Sequence, residues 1–218
     1  MQNLTKIGGY AALGCGLTYV VGFALLMTVL APLGDGDYHA KIAFVADNHA
    51  VMAIWNLTIY VLNAILLAVV AVALWDRFRS ASPALAQVSL TFGALWATLV
   101  LAAGMVANVG LKEAISVFST DPERAASLYQ IFSTIENGLG GGNEIAGGVW
   151  VLTLSLAGFT TKRISKGLSI LGTVIGVSGL ASAIPALSET LGAVFGLGFI
   201  VWFFWAGVAL LRMKKEQA

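Results

Sequence analysis

One stretch of otherwise apolar sequence carries a carboxylate, two carboxamides and six glycines: Asn137-Gly138-Leu139-Gly140-Gly141-Gly142-Asn143-Glu144-Ile145-Ala146-Gly147-Gly148-Val149-Trp150. A carboxylate at the centre of a membrane span costs roughly 2.5–3.5 kcal/mol to insert and marks a functional site by default. Glu144 suits two chemistries: as an anion it holds a cation or a polar small molecule, and as a titratable group it gives or takes a proton. On a helix, residues three, four and seven apart share a face, so Asn137, Gly140, Gly141, Glu144, Gly147 and Gly148 form one small, polar stripe. Asn143 adds a carboxamide beside the carboxylate. The glycines also have a packing reading, since small residues let helices approach closely and Gly142-xxx-Ala146 fits the small-xxx-small pattern. Packing alone leaves Glu144 unexplained.

A second stripe matches the first. His49, Met52, Asn56, Tyr60 and Asn63 recur at helical spacing. Counted from the inner ends of their spans at a constant rise per residue, Tyr60 is level with Glu144 and Asn56 with Gly141. Asn108, Asn137 and Glu189 lie near the outer rim. These residues compose an outward-facing polar cavity floored by Glu144, Tyr60 and Asn63, in which Glu144 points inward, toward Tyr60 or Asn56. The competing reading makes the Asn and Tyr side chains plain interhelical hydrogen bonds, worth about 0.6 kcal/mol on average. Trp96, Trp150 and Trp202 fall near mid-bilayer, whereas membrane tryptophans usually sit in interfacial belts, as Trp55 and Trp75 do. A buried indole needs a hydrogen-bond partner or an unusual neighbour. The three either line a pocket for a flat lipophilic ligand, a role assigned to Trp150, or pack as core.

Several chemistries lack their residues. The histidines, His39 and His49, both lie at the outer edge, so two helices cannot ligate a haem between them. No lysine falls inside a span to carry a retinal Schiff base, and neither a glycine-lysine phosphate loop nor an HExxH helix occurs. His39, Asp47, His49, Glu136 and Glu144 offer nitrogen and oxygen donors suited to zinc or manganese, but no spacing demands a metal. No metal ligand, cofactor or catalytic residue is assigned.

The elements that position these residues are apolar helices. With 58% hydrophobic and 11% charged residues among 218, the chain lies outside the range of soluble domains, and a net charge of +1 gives no reason to expect nucleic acid. Cys15 is alone, so no intramolecular disulfide forms. Apolar runs of about 20 residues give six spans, at about 7–30, 51–75, 85–111, 138–159, 167–187 and 191–211. The first is longer than a cleaved leader's apolar region and reads as a span. The fold class is therefore all-α: one membrane helical-bundle domain over residues 1–218 with both ends on one side. Lys6, Arg77, Arg79, Lys162, Arg163, Lys166, Arg212, Lys214 and Lys215 fall on that side, against Lys41, Lys112 and Arg124 on the other. The positive-inside rule makes both termini cytoplasmic.

The connections carry their own signals. Asp76 to Pro83 is a short inner turn ending in a helix-starting proline, and Ser188-Glu189-Thr190 is the last outer turn. Of the two longer outer segments, residues 37–48 alternate as an interfacial amphipathic helix. The other holds Ser119-Thr120-Asp121-Pro122-Glu123, an N-cap followed by proline at the first helical position. From there one long helix runs through Tyr129, Ile131 and Phe132 into the glycine-rich span. Three consecutive glycines there, each about 1 kcal/mol worse than Ala in a helix, predict a kink or unwinding around residues 140–142.

The order of motifs resembles a six-helix bacterial membrane-protein family, catalogued as domain of unknown function 4386. The residues carrying the likeness are Lys6-Ile7-Gly8-Gly9-Tyr10 opening the first span, Asn48-His49 after a short outer segment, the Trp75-Asp76-Arg77 turn, and Lys162-Arg163-Ile164-Ser165-Lys166-Gly167-Leu168 leading into a glycine-rich fifth span. The likeness covers nearly the whole chain and implies an α-helical protein of the bacterial inner membrane, with no assigned activity or catalytic residues.

Three functions remain open. The cavity binds or transports a small molecule or ion against Glu144. Glu144 and His49 serve a membrane enzyme as acid and base. Or the glycine and tryptophan faces make an accessory subunit that docks a partner, lipid or pigment. The topology is testable directly: on a Cys15→Ala background, a membrane-impermeant thiol reagent applied to intact cells is expected to label Asp121→Cys and spare Lys214→Cys. The reverse pattern overturns the orientation.

Overall fold

The computed structural model describes residues 2–34, 36–141 and 144–213. Among these residues every regular element is helical. The α-helices are α1 (Gln2–Met27), α2 (Tyr38–Asp47), α3 (His49–Asn56), α4 (Asn63–Phe78), α5 (Pro83–Phe118), α6 (Pro122–Glu136), α7 (Ile145–Thr161), α8 (Lys166–Ala181) and α9 (Ser188–Arg212). A π-helical turn, Leu57–Leu62, joins α3 to α4 without interrupting the helix. Five helical segments are long and apolar enough to cross a membrane: Leu4–Met27, His49–Phe78, Pro83–Phe118, Pro122–Thr161 and Pro185–Arg212. This is the architecture of a multi-pass membrane protein.

Local signals account for the boundaries. Asp37 caps α2, its Oδ1 accepting from the Ala40 N–H at 2.9 Å. That bond leads the causes that hold the exposed Asp37 carboxyl below its ordinary pKa. Asp121 caps α6 in the same way, accepting from the Arg124 N–H at 3.0 Å, with Pro122 in the first turn. Pro83 opens α5 as the sequence suggests. α5 then runs 36 residues, about 54 Å at the α-helical rise, well past the expected end near residue 111.

Two expectations need correction at the connection between α8 and α9. The helix expected over 167–187 ends at Ala181, because Pro185 has no N–H and its ring clashes with the carbonyl four residues earlier. Pro185–Leu187 forms a 3₁₀ turn instead, and Ser188, Glu189 and Thr190 open α9 rather than making the turn. α8 is 16 residues long, about 24 Å, short of the roughly 30 Å hydrocarbon thickness.

By internal packing the chain divides into two compact units. The first comprises Met1–Leu17, Ala64–Thr98 and Asn143–Ala218. Its core is aromatic: Trp96, Trp150, Phe195, Phe199, Trp202 and Phe203 are nearly or fully buried and pack edge-to-face, tilted or stacked at centroid distances of 4.7 to 6.3 Å. A Cβ added at Gly148 of α7 would stand 3.0 Å from the Gly176 carbonyl of α8 and 3.1 Å from the Leu180 amide. The two backbones touch there, as small residues allow within membranes. At the end of this unit rich in Lys and Arg, Arg163 Nη1 donates to the Arg77 carbonyl at 2.5 Å and to Ser80 Oγ at 2.9 Å, tying the turn after α7 to the turn after α4.

The second unit comprises Thr18–Asn63 and Leu99–Gly142. Here the amphipathic α2 packs on α6: Ile42 is buried with Ala114, Ala125 and Ala126, and Val45 with Leu30, Met52 and Leu111. His39 Nε2 lies 3.5 Å from Glu123 Oε2 across the same pair of helices.

The α7–α8 contact sets an expectation. Gly148→Val places methyls against backbone atoms that cannot turn aside and is expected to cost about 1–3 kcal/mol. At Gly192 of α9 an added Cβ meets nothing within 4 Å, so Gly192→Ala is expected to leave stability unchanged or raise it by about 0.4–1 kcal/mol. Thermal unfolding of both variants in detergent, compared with the parent, checks the pair.

Candidate functional site

The second unit gathers the polar residues of the second span on one buried face. Asn56, Tyr60 and Asn63 are 1%, 9% and 2% exposed. Spacings of four and three keep them in line, and the π turn between Leu57 and Leu62 carries Tyr60. Each meets a different environment. Asn63 Oδ1 accepts from Thr18 Oγ1 of α1 at 3.0 Å, a buried contact between spans. The Tyr60 hydroxyl donates a hydrogen bond to Glu136 Oε1. Asn56 has neither: its Oδ1 and Nδ2 are both buried with no hydrogen-bond partner among the described residues.

Glu136 closes α6, and the chain leaves α geometry directly after it. Over Asn137–Gly141 the helix is interrupted, with Gly140 at φ 158° and ψ 8°, a pair that side chains disfavour and glycine accepts. The predicted break is therefore present at Gly140. Gly142 and Asn143 lie outside the described residues, so the site role expected of Asn143 lies outside them as well. Gly104 of α5 permits the approach that brings Tyr60 into place, since a Cβ there would collide with Tyr60 Cβ. Trp55 flanks the tyrosine, its ring edge-to-face with Tyr60 at 6.2 Å and its Nε1 donating to the Gly22 carbonyl at 3.0 Å. Tyr129, two turns before Glu136 on α6, packs with Trp55 against the Leu30–Met52 cluster.

The other expected site residues distribute differently. Glu144 belongs to the first unit, half-buried at the position preceding α7. Its side chain makes no capping bond, while its main-chain carbonyl accepts from Gly148 N at 2.8 Å. Trp150 is fully buried in that unit's aromatic core, and its Nε1, like that of Trp202, has no partner among the described residues. Below Trp202 a void of about 10 Å³ is walled by apolar side chains including Leu74, Phe78 and Leu168, near the smallest volume that holds a water. His49 is exposed at the start of α3, its Nδ1 3.2 Å from the Ala46 carbonyl. Asn137 is exposed within the broken turn. Among the described residues no three His, Cys, Asp or Glu side chains come together as metal ligands.

Sequence reasoning counted Glu136 only among conceivable metal donors and missed Thr18. The signal for Glu136 was its place at the end of an amphipathic helix, immediately before the glycine-rich break and two turns after Tyr129. Thr18 gave none, because a threonine in a span commonly bonds its own helix.

The chain matches no protein-family model, no curated protein and no solved structure. What it can do is therefore argued from the geometry of the second unit: a carboxylate with one oxygen held by a tyrosine, a broken helix beside it, and a buried carboxamide with no partner among the described residues.

The two polar residues are expected to respond oppositely to removal. Tyr60→Phe strips the donor from a half-buried carboxylate and is expected to destabilise by roughly 1–3 kcal/mol. Asn56→Leu keeps the same branched side-chain skeleton while deleting two polar atoms that have no partner among the described residues, so it is expected to leave stability unchanged or raise it. Thermal unfolding in detergent reads both.

Proposed function

We propose that this chain is a six-span protein of the bacterial cytoplasmic membrane that binds or transports a small molecule or ion, through a site built on Glu136, Tyr60 and Asn56. The observation that carries this reading is Asn56. A buried carboxamide with both polar atoms unpartnered costs about 1–3 kcal/mol per orphaned group unless something fills the gap. It stands one turn before a tyrosine whose hydroxyl is committed to a carboxylate. That carboxylate abuts interrupted backbone, and irregular backbone at membrane depth is tolerated where it is buried in protein or lines a water-filled cavity. Discontinuous helices of this kind commonly form the ion and substrate sites of transporters.

The membrane placement has separate support. The distribution of Lys and Arg favours cytoplasmic termini, which sets α2 and α6 toward the outer side and the site in the outer half. α8, the shortest span, exposes Ile170, Val174 and Val177 along one face, an apolar stripe suited to lipid. Glu144, the carboxylate that follows the break in sequence, is the second candidate for the same role, because its side chain caps no helix.

Native mass spectrometry of gently extracted protein tests the reading. The wild type is expected to retain a bound small species that Glu136→Gln loses while keeping its thermal stability. Glu144→Gln, run in parallel, is expected to retain it. Loss from Glu144→Gln alone moves the function to Glu144, and a wild type that carries nothing under any extraction overturns the proposal.

A further inference from the structure

Resting on the reading above, the unsatisfied groups of the second unit identify the chemical class of ligand. We infer that the site takes a small primary ammonium ion that also carries an oxygen acceptor, its nitrogen on Glu136 and Asn56 Oδ1 and its oxygen on Asn56 Nδ2.

The argument is one of complementarity. Glu136 Oε1 accepts the hydrogen bond of the Tyr60 hydroxyl, and no other described side chain is bonded to this carboxylate. A carboxylate in a span without a cationic neighbour calls for a positive charge from outside the chain. A bare metal ion would meet that charge, yet it would leave the Nδ2 donors of Asn56 as they are, buried and unpartnered. It would also find few protein oxygens, since no group of acidic or histidine side chains gathers among the described residues. A neutral alcohol would serve Asn56 and leave the carboxylate uncompensated. A primary ammonium bearing a hydroxyl or phosphate oxygen serves both: its N–H groups donate to Glu136 and Asn56 Oδ1, and its oxygen accepts from Asn56 Nδ2. A quaternary ammonium has no N–H to give and fits the carboxylate less well.

This chemistry has two sources beside a membrane protein, a free amino alcohol and the ethanolamine headgroup of a phospholipid, and the test separates them. Purified protein in detergent is titrated with 2-aminoethanol, choline, ethylene glycol or sodium chloride at constant ionic strength. Unfolding temperature and ligand-bound mass are read together. A second arm places the protein in phosphatidylcholine nanodiscs with and without phosphatidylethanolamine. Saturable binding is expected for 2-aminoethanol, or for phosphatidylethanolamine if the source is lipid. It is expected to weaken about tenfold or more in Glu136→Gln and at least threefold in Asn56→Leu, each variant first shown to unfold cooperatively. Choline is expected to bind at least tenfold more weakly than 2-aminoethanol. An equal, Glu136-dependent response to sodium, ethylene glycol or choline overturns the ammonium assignment and leaves the binding function standing. If no probe responds while the native protein still yields a Glu136-dependent adduct, the class is wrong and the function survives. Loss of both removes the site.

Discussion

The structure turns on a single constraint: within hydrocarbon a polar group has no water to bond, so each one finds a partner in the protein or remains a liability. The hydrogen bond from Tyr60 to Glu136 is where that constraint is met most directly. It joins a π turn in one helix to the last residue before a break in another. Both departures from α geometry would be disfavoured in a plain span. Together they bring a tyrosine to a carboxylate that would otherwise lie in apolar surroundings with no donor.

The same constraint explains why polar side chains elsewhere are so local. Thr153, Ser155, Thr160 and Thr161 each return a hydroxyl to a carbonyl of their own helix at 2.6 to 3.2 Å. Such bonds cost nothing in partner choice and carry no information between helices. Thr18 to Asn63 and Tyr60 to Glu136 are of another kind, because each spans two helices and so requires a definite register. Asn56 meets neither description: both polar atoms of its buried carboxamide lack a hydrogen-bond partner among the described residues.

The first unit is held by shape. Its helices meet through glycine backbones at Gly148 and Gly176 and through interlocked rings around Trp150 and Phe199. Lipid tails are as apolar as these side chains, so contact between helices depends on close fit rather than on escape from water. Tight packing also accounts for the small size of the void beneath Trp202. The indole N–H groups of Trp150 and Trp202 are buried with no partner among the described residues, and the packing gives no reason for it.

Much of this was legible in the residues because it depends on neighbours in the chain. Composition gives the membrane class, Asp121-Pro122 and Pro83 give helix starts, the consecutive glycines give the break, and a spacing of four and three puts Asn56, Tyr60 and Asn63 on one face. The choice of carboxylate was not legible. Comparing heights between spans by counting residues takes each span to rise evenly at the α-helical 1.5 Å per residue. A π turn through Tyr60 and an interruption after Glu136 alter both height and rotation, and each is a local choice that is stable only against its neighbour. The sequence by itself therefore determined that Asn56, Tyr60 and Asn63 share one helix face. Only the tertiary structure decided that Glu136 accepts the tyrosine's hydrogen bond, because a hydrogen bond between helices depends on their relative rotation and translation, which no residue spacing records.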